Sequence, residues 1–350
     1  MDSIPIQNPA HRQRSAGIDL LRILASFYIV LLHVLGWGGL YGPTAEGSRQ
    51  QAVSGLLYLW GFCGVNIFGL ISGYVGYSET EKPIPWKSLL RLWVEVVFYD
   101  VALTLLTIWL YPDSATPADL LPTFFPLLTN SHWYFTTYAA LIPFIPLLNS
   151  AVRGCRKETL MRFLAVFVVF SLPLSSFQGL LFTGYSLFWL LILYLTGAIL
   201  KKTDLGASLH PLVCVGGIAL MGATSFLFFT YGKPILLFGS VIEPEAAAQF
   251  IFPCHYFSAM FHLLLFSRVK FPRTVNKMIL ALAPGAFAVY IINTQKDVWD
   301  GYLQDRFVRW AFSSPLGIAV RALAVSALFV AVSLIADWLR RRLVGLFRRR

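Results

Sequence analysis

The hydrophobic positions of this chain come in long blocks separated by short polar segments. Ten apolar stretches stand out, at about 18–38, 53–76, 90–111, 132–148, 161–178, 183–200, 210–231, 248–267, 278–295 and 316–338. A helix rises about 1.5 Å per residue, so roughly 17 to 25 apolar residues cross about 30 Å of hydrocarbon. The pattern therefore predicts an all-α, polytopic membrane protein with about ten transmembrane helices. The fourth stretch contains "YAALIPFIPLL", and "DLLPTFFPLLT" before it reads as an interfacial segment. Irregular backbone at that depth has to be buried in protein.

Composition makes the same choice. The chain is 57% hydrophobic and 13% charged, with a mean hydropathy of +0.66, which a soluble domain with a hydrated surface rarely reaches. A net charge of +11 would also suit a nucleic-acid partner, so the placement of the charges has to decide. With the N-terminus taken as cytoplasmic, the outer segments hold only Arg49, Lys233, Lys296, Arg306 and Arg309, and Arg22 and Arg321 lie inside helices. The other 21 of the 28 basic residues fall on the inner side, the asymmetry that orients membrane proteins. Both termini are expected in the cytoplasm: residues 1–16 as a short leading segment, and residues 340–350, "RRRLVGLFRRR", as a basic tail on anionic lipid.

No cleavage pattern of small residues follows the first apolar run, which is expected to stay as an anchor. There is no internal repeat and no soluble appendage, so one membrane domain is expected over residues 1–350. The longest polar connections, around 112–131, 231–247 and 296–315, all fall on the outer side. Cys63, Cys155, Cys214 and Cys254 have no paired metal spacing and read as small buried hydrophobes. No metal is expected, and the lack of an ATP-site motif argues against a primary pump.

The first apolar stretch, "GIDLLRILASFYIVLLHVLGW", carries chemistry that lipid disfavours. At about 100° per residue, Arg22 and His33 differ by three turns plus roughly 20°, and Asp19 and Ser26 lie within about 60° of the same direction. The four form one polar line. Asp19 and Arg22, three apart, can pair at the cytosolic boundary. The rise from Arg22 to His33 is about 16 Å, which puts the imidazole near the bilayer midplane. Ionisable groups at that depth face partners or water and are functional candidates. A neutral histidine there can take a proton from a hydroxyl or carry an acyl group; it can also be a packing residue satisfied by a neighbour. Arg22 alone would equally suit an anchor snorkelling at the lipid boundary.

Four stretches resemble the acyltransferase 3 family of membrane O-acyltransferases, which modify extracytoplasmic polysaccharides and related acceptors. "DLLRILASFYIVLLHV" is similar to that family's first helix, a basic residue followed by histidine, here Arg22 and His33. "VNIFGLISGYVGYS" resembles its second helix, "HWYFTTYAALIPFIPLLN" a middle helix, and "APGAFAVYIIN" the late element. The late element usually ends in histidine, whereas this chain has Asn293, to which hydrogen bonding is assigned. The paired arginines usual after the second helix are only loosely matched by Lys87 and Arg91.

The resemblance implies acyl-CoA, most simply acetyl-CoA, as donor. Arg22, Arg91 and Lys87 would hold its phosphates from the cytosol, and its pantetheine arm would run past Ser26 to His33, with Asn66 orienting it. Asn66 and Ser72 could equally be interhelical hydrogen bonds. The acceptor would be a glycan or a lipid-linked saccharide reached from outside. His132, Trp133 and Tyr134 offer a sugar platform or an interfacial aromatic belt; Tyr290 and Asn293 could meet acceptor hydroxyls or cap their helix. Glu95 is expected to pair with Arg91, and Asp100 is the candidate for orienting His33. His255 and His262, seven apart, read as packing residues.

The sequence thus predicts an inner-membrane acyltransferase moving an acetyl group to a glycan hydroxyl, with membrane lipids and no nucleic acid as partners. The rival reading is a proton-coupled transporter or flippase with His33 as proton relay.

Overall fold

The structure is a computed structural model that describes residues 14–112, 116–174, 181–237 and 240–347. Arg12, the last three arginines of the tail and the far end of the 161–178 stretch lie outside the described residues. Of the described residues 79% are helical, as an all-α fold requires. The main helices are α1 (Ala16–Leu35), α2 (Arg49–Gly61), α3 (Cys63–Gly76), α4 (Trp86–Leu110), α5 (Trp133–Leu141) and α6 (Ile145–Gly154). They are followed by α7 (Lys157–Leu174), α8 (Leu187–Thr203), α9 (Pro211–Tyr231), α10 (Pro253–Phe266), α11 (Arg273–Leu282), α12 (Ala286–Thr294) and α13 (Pro315–Phe347).

Seven segments among the described residues are long and apolar enough to cross a membrane: Ala16–Leu35, Arg49–Gly76, Trp133–Gly154, Pro211–Tyr231, Pro244–Phe266, Arg273–Thr294 and Pro315–Leu346. This is a multi-pass membrane protein. Helices also form at the other three apolar stretches, as α4, α7 and α8.

Several spans are interrupted where the side chains forbid a regular helix. Proline lacks the N–H that an interior helical position must donate. Pro143 and Pro146 accordingly separate α5 from α6 by a 3-10 turn, Ile142–Phe144, and Pro284 separates α11 from α12 by another, Ala283–Gly285. One element departs from the all-helical pattern. In the connection after α9, β1 (Ile235–Leu237) and β2 (Ser240–Ile242) form a small antiparallel hairpin with Ile235 opposite Ile242.

Small residues set how closely the helices approach, as is general in lipid. A Cβ on Gly73 of α3 would lie 1.9 Å from the Tyr194 carbonyl oxygen of α8, and one on Gly197 of α8 would lie 2.0 Å from the Leu70 oxygen of α3. The two backbones therefore touch, and Leu70, Leu193, Tyr194 and Tyr256 fill the core around them. At the end of α13, Asp337 is fully buried; it accepts from Tyr99 at 2.9 Å, Arg340 at 2.6 Å and Arg341 at 2.6 Å. Arg340 also reaches Glu95 at 3.3 Å, so Glu95 pairs across to α13 and not with Arg91 as expected. The Arg340 guanidinium, fixed by Asp337, takes the carboxylate that α4 turns inward.

Candidate active site

α1 packs against α2, α3, α10, α11, α12 and α13, so its polar line meets protein along most of its length. Asp19 is buried and pairs with Arg14 at 2.6 Å and with Arg22 one turn on. Ser26 donates to the Ala286 carbonyl at 3.0 Å and ties α1 to α12. Tyr28 meets His262 Nε2 at 3.2 Å, tying α1 to α10. His33 Nδ1 meets Asn293 Oδ1 on α12. An amide oxygen can only accept, so the ring donates from Nδ1 and Nε2 is left with its lone pair.

His33 lines a narrow chamber with about 40 Å³ open to the centres of water-sized molecules. Its other walls are mostly aromatic: Trp133, Tyr134, Tyr185, Phe250, Phe287 and Tyr290, with Phe68 and three aliphatic residues. On the other side the Trp299 ring stands edge-on to His33 at 4.6 Å and is itself stacked on Trp37 at 5.2 Å. The Tyr290 hydroxyl accepts the Tyr134 backbone N–H at 3.2 Å. That amide belongs to the first turn of α5, where the helix dipole favours negative charge.

Arg22 borders two larger cavities. One, with about 340 Å³ open to water-sized centres, reaches from Arg22 past Ser72 and Tyr138 to Phe68, Tyr134 and Phe287. These last three residues also wall the His33 chamber. The guanidinium thus borders one cavity and the imidazole another, with Phe68, Tyr134 and Phe287 forming walls of both. The other cavity, about 410 Å³, is lined by Arg14, Asp19, Arg22, Tyr74 and Lys201, three cations to one carboxylate. Lys201 Nζ sits 4.8 Å over the Tyr74 ring.

The structure therefore gathers His33, Trp133, Tyr134, Tyr290 and Asn293 at one place and sets Arg22 apart from them along α1. The remaining candidates fall elsewhere. Asp100 turns to His132, with Nε2 to Oδ1 at 2.9 Å, and does not reach His33. His132 is 1% exposed and spends its other nitrogen on Thr294 Oγ1 at 2.8 Å, so it is an internal brace and no exposed sugar platform. The brace reaches α12 one residue beyond Asn293. Asn66 is consumed by the Phe250 carbonyl at 2.8 Å and the Trp189 indole N–H at 2.9 Å. Lys87 and Arg91 are exposed on the first turns of α4 and line neither Arg22 cavity. Arg14 and Lys201 stand there in their place. Sequence marked both only as inner-side charges, and nothing local distinguishes them from their neighbours.

His255 and His262 are buried and hydrogen-bonded to the Ala247 and Ser258 carbonyls, both at 2.7 Å, in keeping with packing. All four cysteines are free, with Cys63, Cys214 and Cys254 buried and Cys155 partly so.

The family model for this acyltransferase domain, Acyl_transf_3, matches residues 15–338. The chain belongs to the acyltransferase 3 family. The matched region contains every helix from α1 to α12 and most of α13, so the acyltransferase 3 assignment covers both the Arg22 cavities and the His33 chamber. No curated protein and no solved structure matches the chain.

Proposed function

We propose that this acyltransferase moves an acetyl group from cytosolic acetyl-CoA to a hydroxyl of a saccharide presented on the far side of the membrane. The observation that carries the reading is the adjacency of the Arg22 cavity and the His33 chamber, which share walls at Phe68, Tyr134 and Phe287. Ten crossings with both termini in the cytoplasm would put the Arg22 end inside, where CoA is made, and His33 about 16 Å deeper along α1. Arg22, Arg14 and Lys201 would bind the phosphates, arginine through paired N–H donors and lysine as a compact charge.

The chemistry follows from the free Nε2. It takes the proton of the acceptor hydroxyl as that oxygen attacks the thioester carbonyl. The Tyr290 O–H donates to the developing oxyanion. The C–S bond then breaks, and the CoA thiolate recovers the proton from the His33 imidazolium, so no proton or electron is left unaccounted for. A chamber this narrow suits acetyl better than a long acyl chain.

The family assignment weighs against the transporter reading, although the proline breaks at Pro143, Pro146 and Pro284 are a feature transporters also use. The test uses purified protein in nanodiscs with acetyl-CoA labelled in the acetyl group and a mixture of saccharide acceptors. Wild type should release CoA thiol and label an acceptor, and His33→Ala should do neither while binding acetyl-CoA normally. Equal labelling by both proteins would reject the role of His33.

A further inference from the structure

A second polar cavity lies at the opposite end of the bundle from Arg22, between the segment after α1, the start of α2, the end of α9 and the connection that follows the hairpin. It leaves about 340 Å³ open to water-sized centres, far more than the His33 chamber. Its walls include Tyr41, Phe229 and Tyr231, together with Glu46, Gln51 and Glu245. Gln51 Oε1 accepts the Gly47 N–H at 2.8 Å, which leaves the two amide hydrogens of Gln51 as donors. Glu46 and Glu245 are exposed, and neither has an ion-pair partner among the described residues. Arg49 and Lys233, the nearest cations along the chain, do not line the cavity.

We propose that this groove docks a saccharide, and one carrying amino rather than acidic groups. Aromatic faces cover the C–H faces of sugar rings, carboxylates accept hydroxyl and ammonium hydrogens, and the Gln51 amide supplies donors. Two carboxylates without a counter-charge repel uronates and phosphates and attract ammonium. The local acidity runs against the net charge of +11 of the whole chain.

Packed rings also link the wall of the groove to the wall of the chamber. Tyr41 is stacked on Tyr58 at 5.1 Å, Tyr58 meets Phe62 at 5.1 Å, and Phe62 meets Phe250, a wall of the His33 chamber, at 5.3 Å. A row of rings thus runs from groove to chamber. A groove that holds the acceptor would concentrate it near the chamber; that role rests on the acyltransferase reading, whereas the binding itself does not.

The experiment measures binding without turnover. Full-length protein in nanodiscs is titrated by calorimetry with chitotetraose, cellotetraose and tetragalacturonate, at a pH that keeps the sugar amines protonated. Wild type should bind chitotetraose tightest, cellotetraose more weakly and tetragalacturonate least. Glu46→Gln with Glu245→Gln should weaken chitotetraose at least about tenfold and leave cellotetraose within about twofold. Tyr41→Ala should weaken both. Acetyl-CoA affinity serves as the folding control for each variant. Tetragalacturonate or cellotetraose binding as tightly as chitotetraose, no binding by wild type, or unchanged chitotetraose binding in the correctly folded double variant would overturn the proposal. An inert wild type that still binds chitotetraose would sink the acyltransferase reading and leave the groove standing.

Discussion

Asn293 offers the sharpest test of how His33 is held. Its Oδ1 is the hydrogen-bond partner of His33 Nδ1, and that contact selects the tautomer whose Nε2 lone pair is free. Asn293→Ala leaves the Nδ1–H without an acceptor among apolar and aromatic neighbours. A buried donor left unmade costs about 1–3 kcal/mol. The cost is avoided if the ring turns or changes tautomer, and either response removes the base from its productive geometry. At about 1.4 kcal/mol per tenfold, the expected loss in kcat is about 5- to 150-fold. The KM for acetyl-CoA should stay within about twofold, because Arg22 lies three helical turns away along α1. Asn293→His, which installs the residue the family's late element usually carries, keeps a ring nitrogen able to accept from Nδ1–H and should recover part of the activity. The assay is steady-state release of CoA thiol by nanodisc-embedded protein with acceptor present. A kcat within twofold of wild type for Asn293→Ala would refute the tautomer argument, and an unchanged kcat with a raised donor KM would place Asn293 in the wrong part of the reaction.

Arg22→Ala should raise the donor KM about tenfold or more and weaken inhibition by the nucleotide end of CoA in parallel, whereas Lys201→Ala, at the rim of the same cavity, should do so by a few-fold; competition kinetics checks both. Tyr290→Phe, which keeps the ring and removes the O–H, should lower kcat by about 10²-fold with donor KM unchanged, read by the same CoA-release assay. Asp337→Ala removes the acceptor that Tyr99, Arg340 and Arg341 share; because both arginines are partly exposed and keep Glu95 and the Ala281 carbonyl as partners, the expected loss is about 2–3 kcal/mol, seen as lower heat tolerance in detergent with the donor KM unaffected. Gly73→Leu should prevent α3 and α8 from meeting and abolish recovery of folded protein, because even a Cβ would sit 1.9 Å from the Tyr194 oxygen.

What could be read in advance follows from how local each signal is. Apolar blocks and proline positions are properties of a short window, so the helical stretches and the interruption near Pro143 and Pro146 were visible. The polar line on α1 was visible too, because one helix's periodicity places Asp19, Arg22, Ser26 and His33 on one face. Partners were harder, since they come from other helices. Asp100 and His132 were each legible as unusual, yet their pairing depends on how α4 lies against the start of α5. Glu95 had Arg91 one turn away, but the long reach of Arg340 from α13 took it instead. Lys201 became a neighbour of Arg22 only because α8 presses backbone to backbone on α3, and that contact is carried by two glycines with no chemistry of their own. The hairpin is hard to read from sequence because its β-branched Ile235, Val241 and Ile242 sit in a short connection between far longer helical signals.

The central claim is that one imidazole lets a thioester from the cytosol reach an alcohol across the membrane. Inside-out vesicles carrying full-length protein and the native cell envelope saccharides, supplied outside with acetyl-labelled CoA, measure this directly. Wild type should place label on saccharide enclosed within the vesicles, resistant to an esterase added outside, and His33→Ala at equal expression should place none. Label appearing on enclosed saccharide to the same extent with His33→Ala would contradict the account.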